Sequence, residues 1–142
     1  MPVKNSEVIP VWFERVWNKG EEAAIDEMLA PDAVIHGLEL PAGSAKTGPG
    51  AFKPFWRQFR SAFPDIRIEV LDCVTEGGRS VGHCRVTGTH IGAEFNGLAA
   101  SRKKIEFTGM ALARVGNGQI LEGWNSFDFL GMFGQLGLVK KA

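Results

Sequence analysis

The sequence has no surplus of either charge: sixteen Lys and Arg residues stand against sixteen Asp and Glu. Nucleic-acid binding needs a basic field that neutralises phosphates, so no nucleic-acid partner is expected. Long apolar runs are absent too. None approaches the ~20 residues that span a bilayer, and the first residues lack the apolar core of a signal peptide. A cytoplasmic chain with no membrane partner is the expectation. Cysteine is scarce, with only Cys73 and Cys84, in neighbouring predicted strands and without a CxxC pair or a Cys/His cluster. They read as reduced thiols, and no metal is expected. The glycine-rich segments match neither a P-loop nor a dinucleotide-binding turn, so nucleotide binding has little support and no cofactor is expected.

What is present is a chain of 142 residues, 44% hydrophobic and 23% charged, which is the composition of one folded domain, residues 1–142. A chain of this size buries roughly 70% of its unfolded surface. Its organising stretch is Lys104 to Asp128. Phe107, Gly109, Ala111, Ala113 and Val115 share one parity, and Glu106, Thr108, Met110, Leu112 and Arg114 the other. Gly116-Asn117-Gly118 interrupts this period of two, and Gln119 to Asp128 resumes an extended reading. Alternation around an Asn-Gly turn predicts a β-hairpin, since both central residues must take φ > 0. With the smaller side chains inward, Ala111 and Asn125 share the inner face of the sheet.

Upstream, Val8, Ile9, Trp12, Phe13, Val16 and Trp17 recur at three- and four-residue spacing. The pattern predicts an amphipathic helix from Ser6 to Asn18, capped by Asn5 or Ser6. Glu21 to Leu29 reads as a second helix, and Ala33 to His36 as a short strand. Gly37 to Gly48 is a loop without periodicity. A third helix starts near Pro49 and carries Phe52, Phe55, Trp56, Phe59 and Phe63 on one side. Two strands follow, from Ile66 to Thr75 and from Arg79 to Ile91, turned by Glu76-Gly77-Gly78. Gly92 to Arg102 is a loop, and Phe129 to Leu136 a short closing helix or turn. Helices first and strands afterwards predict an α+β fold, with helices packed on one face of an antiparallel sheet.

Several segments in this order resemble the SnoaL-like polyketide cyclase family. They are Phe13 to Gly20, Ala62-Phe63-Pro64-Asp65, Thr87 to Gly92, Gly118 to Asn125, Phe127-Asp128 and Gln135-Leu136-Gly137. The resemblance implies the cone-shaped α+β barrel shared with nuclear transport factor 2 and ketosteroid isomerase: a curved antiparallel sheet wrapped around three helices. It further implies an apolar pocket for a small hydrophobic, polyketide-like or carbonyl molecule, and a homodimer formed through the outer sheet surface. The family's cyclases carry an aspartate directly after the tryptophan that corresponds to Trp124, and a histidine at the position aligned with Ala111. Together these perform proton transfer for an aldol closure. Here the two positions hold Asn125 and Ala111, neither of which exchanges a proton near neutral pH.

Three readings therefore compete: a cyclase- or isomerase-type enzyme, a non-catalytic binding domain, and a dimeric interaction module whose pocket is merely a core defect. For the first, His36 is the best available acid/base residue, because the resemblance sets its end of the strand at the pocket mouth. Asn125 would hold a carbonyl or enol oxygen. Trp12, Trp56, Phe59, Met110 and Phe127 are candidate apolar contacts to the substrate. His90 reads as part of a turn or interface network. Asp65 would bond nearby backbone amides, and Glu122 would pair with Arg114 across the hairpin.

Overall fold

In the computed structural model, residues 3–139 are described, so the ends of the expected 1–142 domain lie outside the described residues. Helix α1 (Asn5–Trp12) runs into a π-helical segment, Phe13–Asn18, and is followed by α2 (Glu22–Met28) and β1 (Leu29–His36). Then come α3 (Gly48–Ala62), β2 (Arg67–Glu76), β3 (Arg79–Thr89), β4 (Lys104–Gly116), β5 (Gln119–Phe127) and α4 (Phe129–Leu136). The five strands form one curved sheet in the order β1-β5-β4-β3-β2.

Turn chemistry fixes most of that order. Asn117 and Gly118 take φ of 51° and 75°, closing a two-residue turn between Gly116 and Gln119. This is the hairpin read from the sequence. Gly77-Gly78 does the same between β2 and β3. Short turns force antiparallel pairing, but β1 is linked to β5 by no such turn, and it lies parallel to it. The sheet is therefore mixed rather than wholly antiparallel. Its two edge strands, β1 and β2, do not meet, so the cone stays open.

Other local expectations need correction. Neither Asn5 nor Ser6 caps α1: Lys4 is the capping residue, and the Glu7 carboxylate accepts from its backbone N–H at 3.1 Å. Asn5 instead donates to the Gly77 carbonyl at 3.0 Å, tying the helix start to the β2–β3 turn. Strand β1 begins four residues before Ala33, directly after α2. Its Pro31 lacks an N–H, which an edge strand with an irregular register tolerates. Asp65 bonds no neighbouring amide; it accepts from the distant Thr89 N–H at 2.7 Å.

The helices cover the concave face of the sheet. On α3 the spacing Phe52, Phe55, Trp56, Phe59 puts four buried rings on one side. Burying each one stabilises the fold by about 2–3 kcal/mol. The π-helical segment matters for the opposing wall. Trp12 and Trp17 are five residues apart, which an α-helix would set on different faces. The wider π turn realigns them, and both face α3, where they pack against Phe52 at 5.1 and 5.9 Å between ring centroids.

Candidate ligand cavity

Between α1, α3 and the sheet the side chains leave a cavity of about 90 Å³. Its lining is almost wholly apolar, from Ile9, Trp12 and Trp17 on the first helix through Phe52, Phe55 and Phe59 on α3 to Phe107, Ala111, Ala113 and Phe127 on the sheet. Among the described residues that line it, none is Asp, Glu, His, Lys or Arg, and Asn125 supplies the only side-chain amide.

The sheet register explains how that amide arrives there. Ala111 and Asn125 are directly opposed across β4 and β5, and both point inward with Ala113 and Gly123. The small Ala111 side chain leaves room above the sheet where a larger residue would fill it. Asn125 Nδ2 donates to the His36 backbone carbonyl at 3.1 Å. A carbonyl only accepts, so the amide's orientation is fixed, with its NH2 turned to β1. One N–H and both lone pairs of Oδ1 remain for the cavity, and no described residue donates to that oxygen. Gly37 makes the close approach possible. Its φ is +83°, and a Cβ there would stand 1.9 Å from the Asn125 carbonyl oxygen.

The sequence-derived candidates divide. Trp12, Phe59, Phe127 and Asn125 line the cavity; Trp56, Met110 and His36 do not. Trp56 is buried, but its indole N–H donates to the Val16 carbonyl at 2.8 Å, holding the ring against the first helix. Met110 is 52% exposed on the outer face, because it alternates with the inward Ala111. The same alternation removes His36: Ile35 faces the cavity, so its neighbour faces outward. There the His36 ring stacks on Trp124 at 5.2 Å, and Nε2 lies 2.8 Å from Glu122. Arg114 approaches the same carboxylate at 3.7 Å, so the expected Arg114–Glu122 pair exists, enlarged by a histidine. The His36 side chain and the Asn125 side chain thus stand on opposite faces of the sheet, joined only through the His36 carbonyl.

Other lining residues escaped the sequence reading. Ile35 and Leu38 flank the β1 end, and Phe129 starts α4. Leu38 sits in a stretch with no hydrophobic period, and Phe129 follows the break in alternation at Asp128. That aspartate caps α4, its Oδ1 accepting from Gly131 N–H at 2.8 Å.

His90 is fully buried. Its Nε2 donates to the Ala93 carbonyl at 3.0 Å, which leaves Nδ1 to accept from the Ser101 N–H at 3.3 Å. The ring so pins both ends of the loop between β3 and β4. Cys84, on β3, is buried, and burial, with Cys73 nearby, pushes its thiol up to about 12. Both cysteines are free thiols.

A curved, open sheet cupped around helices and an apolar hollow is the cone fold of nuclear transport factor 2 and its relatives. The model of the SnoaL-like polyketide cyclases matches residues 8–136, and the chain belongs to that family. IdmH of Streptomyces antibioticus, a candidate polyketide cyclase, superimposes with a TM-score of 0.78 at 33% identity, over 95% of this chain and 99% of that one. A candidate polyketide cyclase of Acidithiobacillus ferrooxidans gives 0.80 at 23% identity, over 99% and 100%, a likeness of fold alone. The Aspergillus niger protein named probable cyclase otaY is 34% identical over 71 residues, 50% of this chain and 56% of that protein. The chain thus spans just over half the length of that curated relative.

Proposed function

We propose that the chain binds a small hydrophobic molecule of the polyketide type, bearing a carbonyl and a hydroxyl or enol group, and that it does so without acid/base catalysis. One observation carries this reading: the cavity offers a single hydrogen-bonding amide and no titratable side chain. Asn125 Oδ1 would accept from the ligand hydroxyl, and the free Nδ2 hydrogen would donate to an adjacent carbonyl. Proton transfer needs a group within hydrogen-bond reach of the reacting atom. His36 is the nearest histidine in the β1–β5 ladder, and its ring is spent on Trp124 and Glu122 outside. A cyclase or isomerase activity would have to rest on Asn125 alone, which can stabilise an enolate oxygen but cannot take the proton that creates it.

Phenol tests the reading, since it is little more than one ring and carries one hydroxyl. A ligand that binds only the folded state raises Tm. Wild-type protein should show a phenol-dependent rise that Asn125→Leu abolishes, while toluene shifts both proteins alike. Absence of any phenol-dependent rise defeats the reading. If instead a β-keto substrate turns over and His36→Ala stops it, the enzymatic reading replaces this one.

The homodimer and the cytoplasmic setting belong to the same proposal. Supporting the first is the outer sheet face, where Val34, Val74 and Met110 are exposed. Supporting the second are two free thiols. Sedimentation equilibrium measures the former. No helix among the described residues is long and apolar enough to cross a membrane.

A further inference from the structure

The cavity of about 90 Å³ is far below the ~300 Å³ at which sites for drug-sized molecules begin. Alone it holds no multi-ring or long-chain molecule. On the far side of α3's aromatic face, however, lies a second hollow of about 660 Å³. It is an open groove between the loop after β1, represented by Leu40 and Ala42, and the loop after β3, represented by Phe95 and Asn96. Three residues line both spaces: Phe55, Phe59 and Phe129.

We propose that the two hollows are one two-chambered site, divided by the Phe129 ring, for a molecule with a ring-sized apolar head and a longer chain. This rests on the ligand-binding reading above and adds the ligand's shape. The wall has two buried members and one half-buried one. Phe55 and Phe59 sit mid-helix, each 6% exposed, with Phe59 packed against Trp17, Phe55, Phe63 and Phe95 at 4.7 to 6.3 Å. Phe129 is only half-buried. It stands on the first residue of an eight-residue helix that contains Gly131 and Gly134, and its ring neighbours Phe59, Phe107 and Phe127 lie 5.8 to 6.1 Å away. A rotamer change of Phe129 opens the wall without moving α3. The groove's character changes outward, from Phe59 and Phe95 to Glu39 and the Gln58–Asn96 hydrogen bond of 3.3 Å. A chain leaving the cavity therefore passes apolar surface first and reaches polar groups at its end. The occupant is amphipathic.

The 4-alkylphenols serve as probes, and amide chemical shifts of the ¹⁵N-labelled protein as the readout. Phenol, 4-propylphenol and 4-heptylphenol should all move Ala111 and Asn125. Only 4-heptylphenol should also move Leu40, Ala42 and Asn96. Four added methylenes, at two- to fourfold each, should tighten Kd at least about tenfold between the propyl and heptyl compounds. In Phe129→Ala the association rate of 4-heptylphenol should rise about tenfold, and that of phenol should stay unchanged. Unmoved groove amides with a Kd independent of chain length overturn the two-chambered site while leaving cavity binding intact. Silence at Ala111 and Asn125 with all three probes removes both. An unchanged heptyl association rate in a folded Phe129→Ala protein refutes the divider.

Discussion

Replacing Asn125 by aspartate probes how dry the cavity is. The wild-type amide donates to the His36 carbonyl at 3.1 Å, whereas a carboxylate at that place sets acceptor against acceptor. The remaining lining is apolar, so no cation offsets the charge. The cheaper state is the protonated acid, whose O–H replaces the lost N–H donor. Full burial raises a carboxyl pKa by up to about 3–5 pH units, and for the half-buried position 125 about two is the reasonable share. The folded pKa then lies near ~6 and the unfolded one near ~3.9. Between these values the native state binds more protons than the unfolded state, so stability falls as pH rises. The loss is complete above the folded pKa and amounts to about 2.7 kcal/mol by pH 8. Urea denaturation of wild type and Asn125→Asp at pH 4, 6 and 8 measures it. The variant's midpoint should match wild type at pH 4 and fall about 1–2 M below it at pH 8. Parallel curves at all three pH values would mean that the carboxylate is hydrated, and the dry-cavity reasoning would be wrong.

Gly37→Ala should cost at least about 2 kcal/mol, because φ of +83° disfavours any Cβ and this one collides with the Asn125 carbonyl; a urea midpoint within error of wild type would contradict that. His90→Ala leaves the Ala93 carbonyl and the Ser101 N–H without their partner, at about 3 kcal/mol, and hydrogen exchange should quicken between residues 92 and 102. At pH 8 a disulfide reagent should titrate one thiol in the native protein, the half-buried Cys73, and two in urea. From pH 9 to about 12 the folded state retains the Cys84 proton that the unfolded state releases. Stability should therefore decline with rising pH over that range, by up to about 1.4 kcal/mol per pH unit, and Cys84→Ala should remove this component.

The sequence by itself determined the hairpin from Lys104 to Asp128, because alternation along β4 and an Asn-Gly turn fix where the chain reverses. It likewise determined that α3 buries its aromatic side. These are local periodicities, and local sterics enforce them. The meeting of Ala111 with Asn125 it left open, because the turn alone would set Ala111 opposite Trp124 and a β-bulge between Arg114 and Val115 shifts the partner by one residue. The tertiary structure decided what depends on distant partners. Strand β1 runs parallel to β5 because nothing short links them, and that pairing turns the His36 ring outward onto Trp124 while its carbonyl holds Asn125. Trp56 shares a helix face with Phe55 and Phe59, yet its indole N–H finds Val16 instead of the cavity. Which apolar residues enclose empty space, and which fill it, follows from how helices and sheet interlock. No single segment carries that information, since a void is a property of every wall around it.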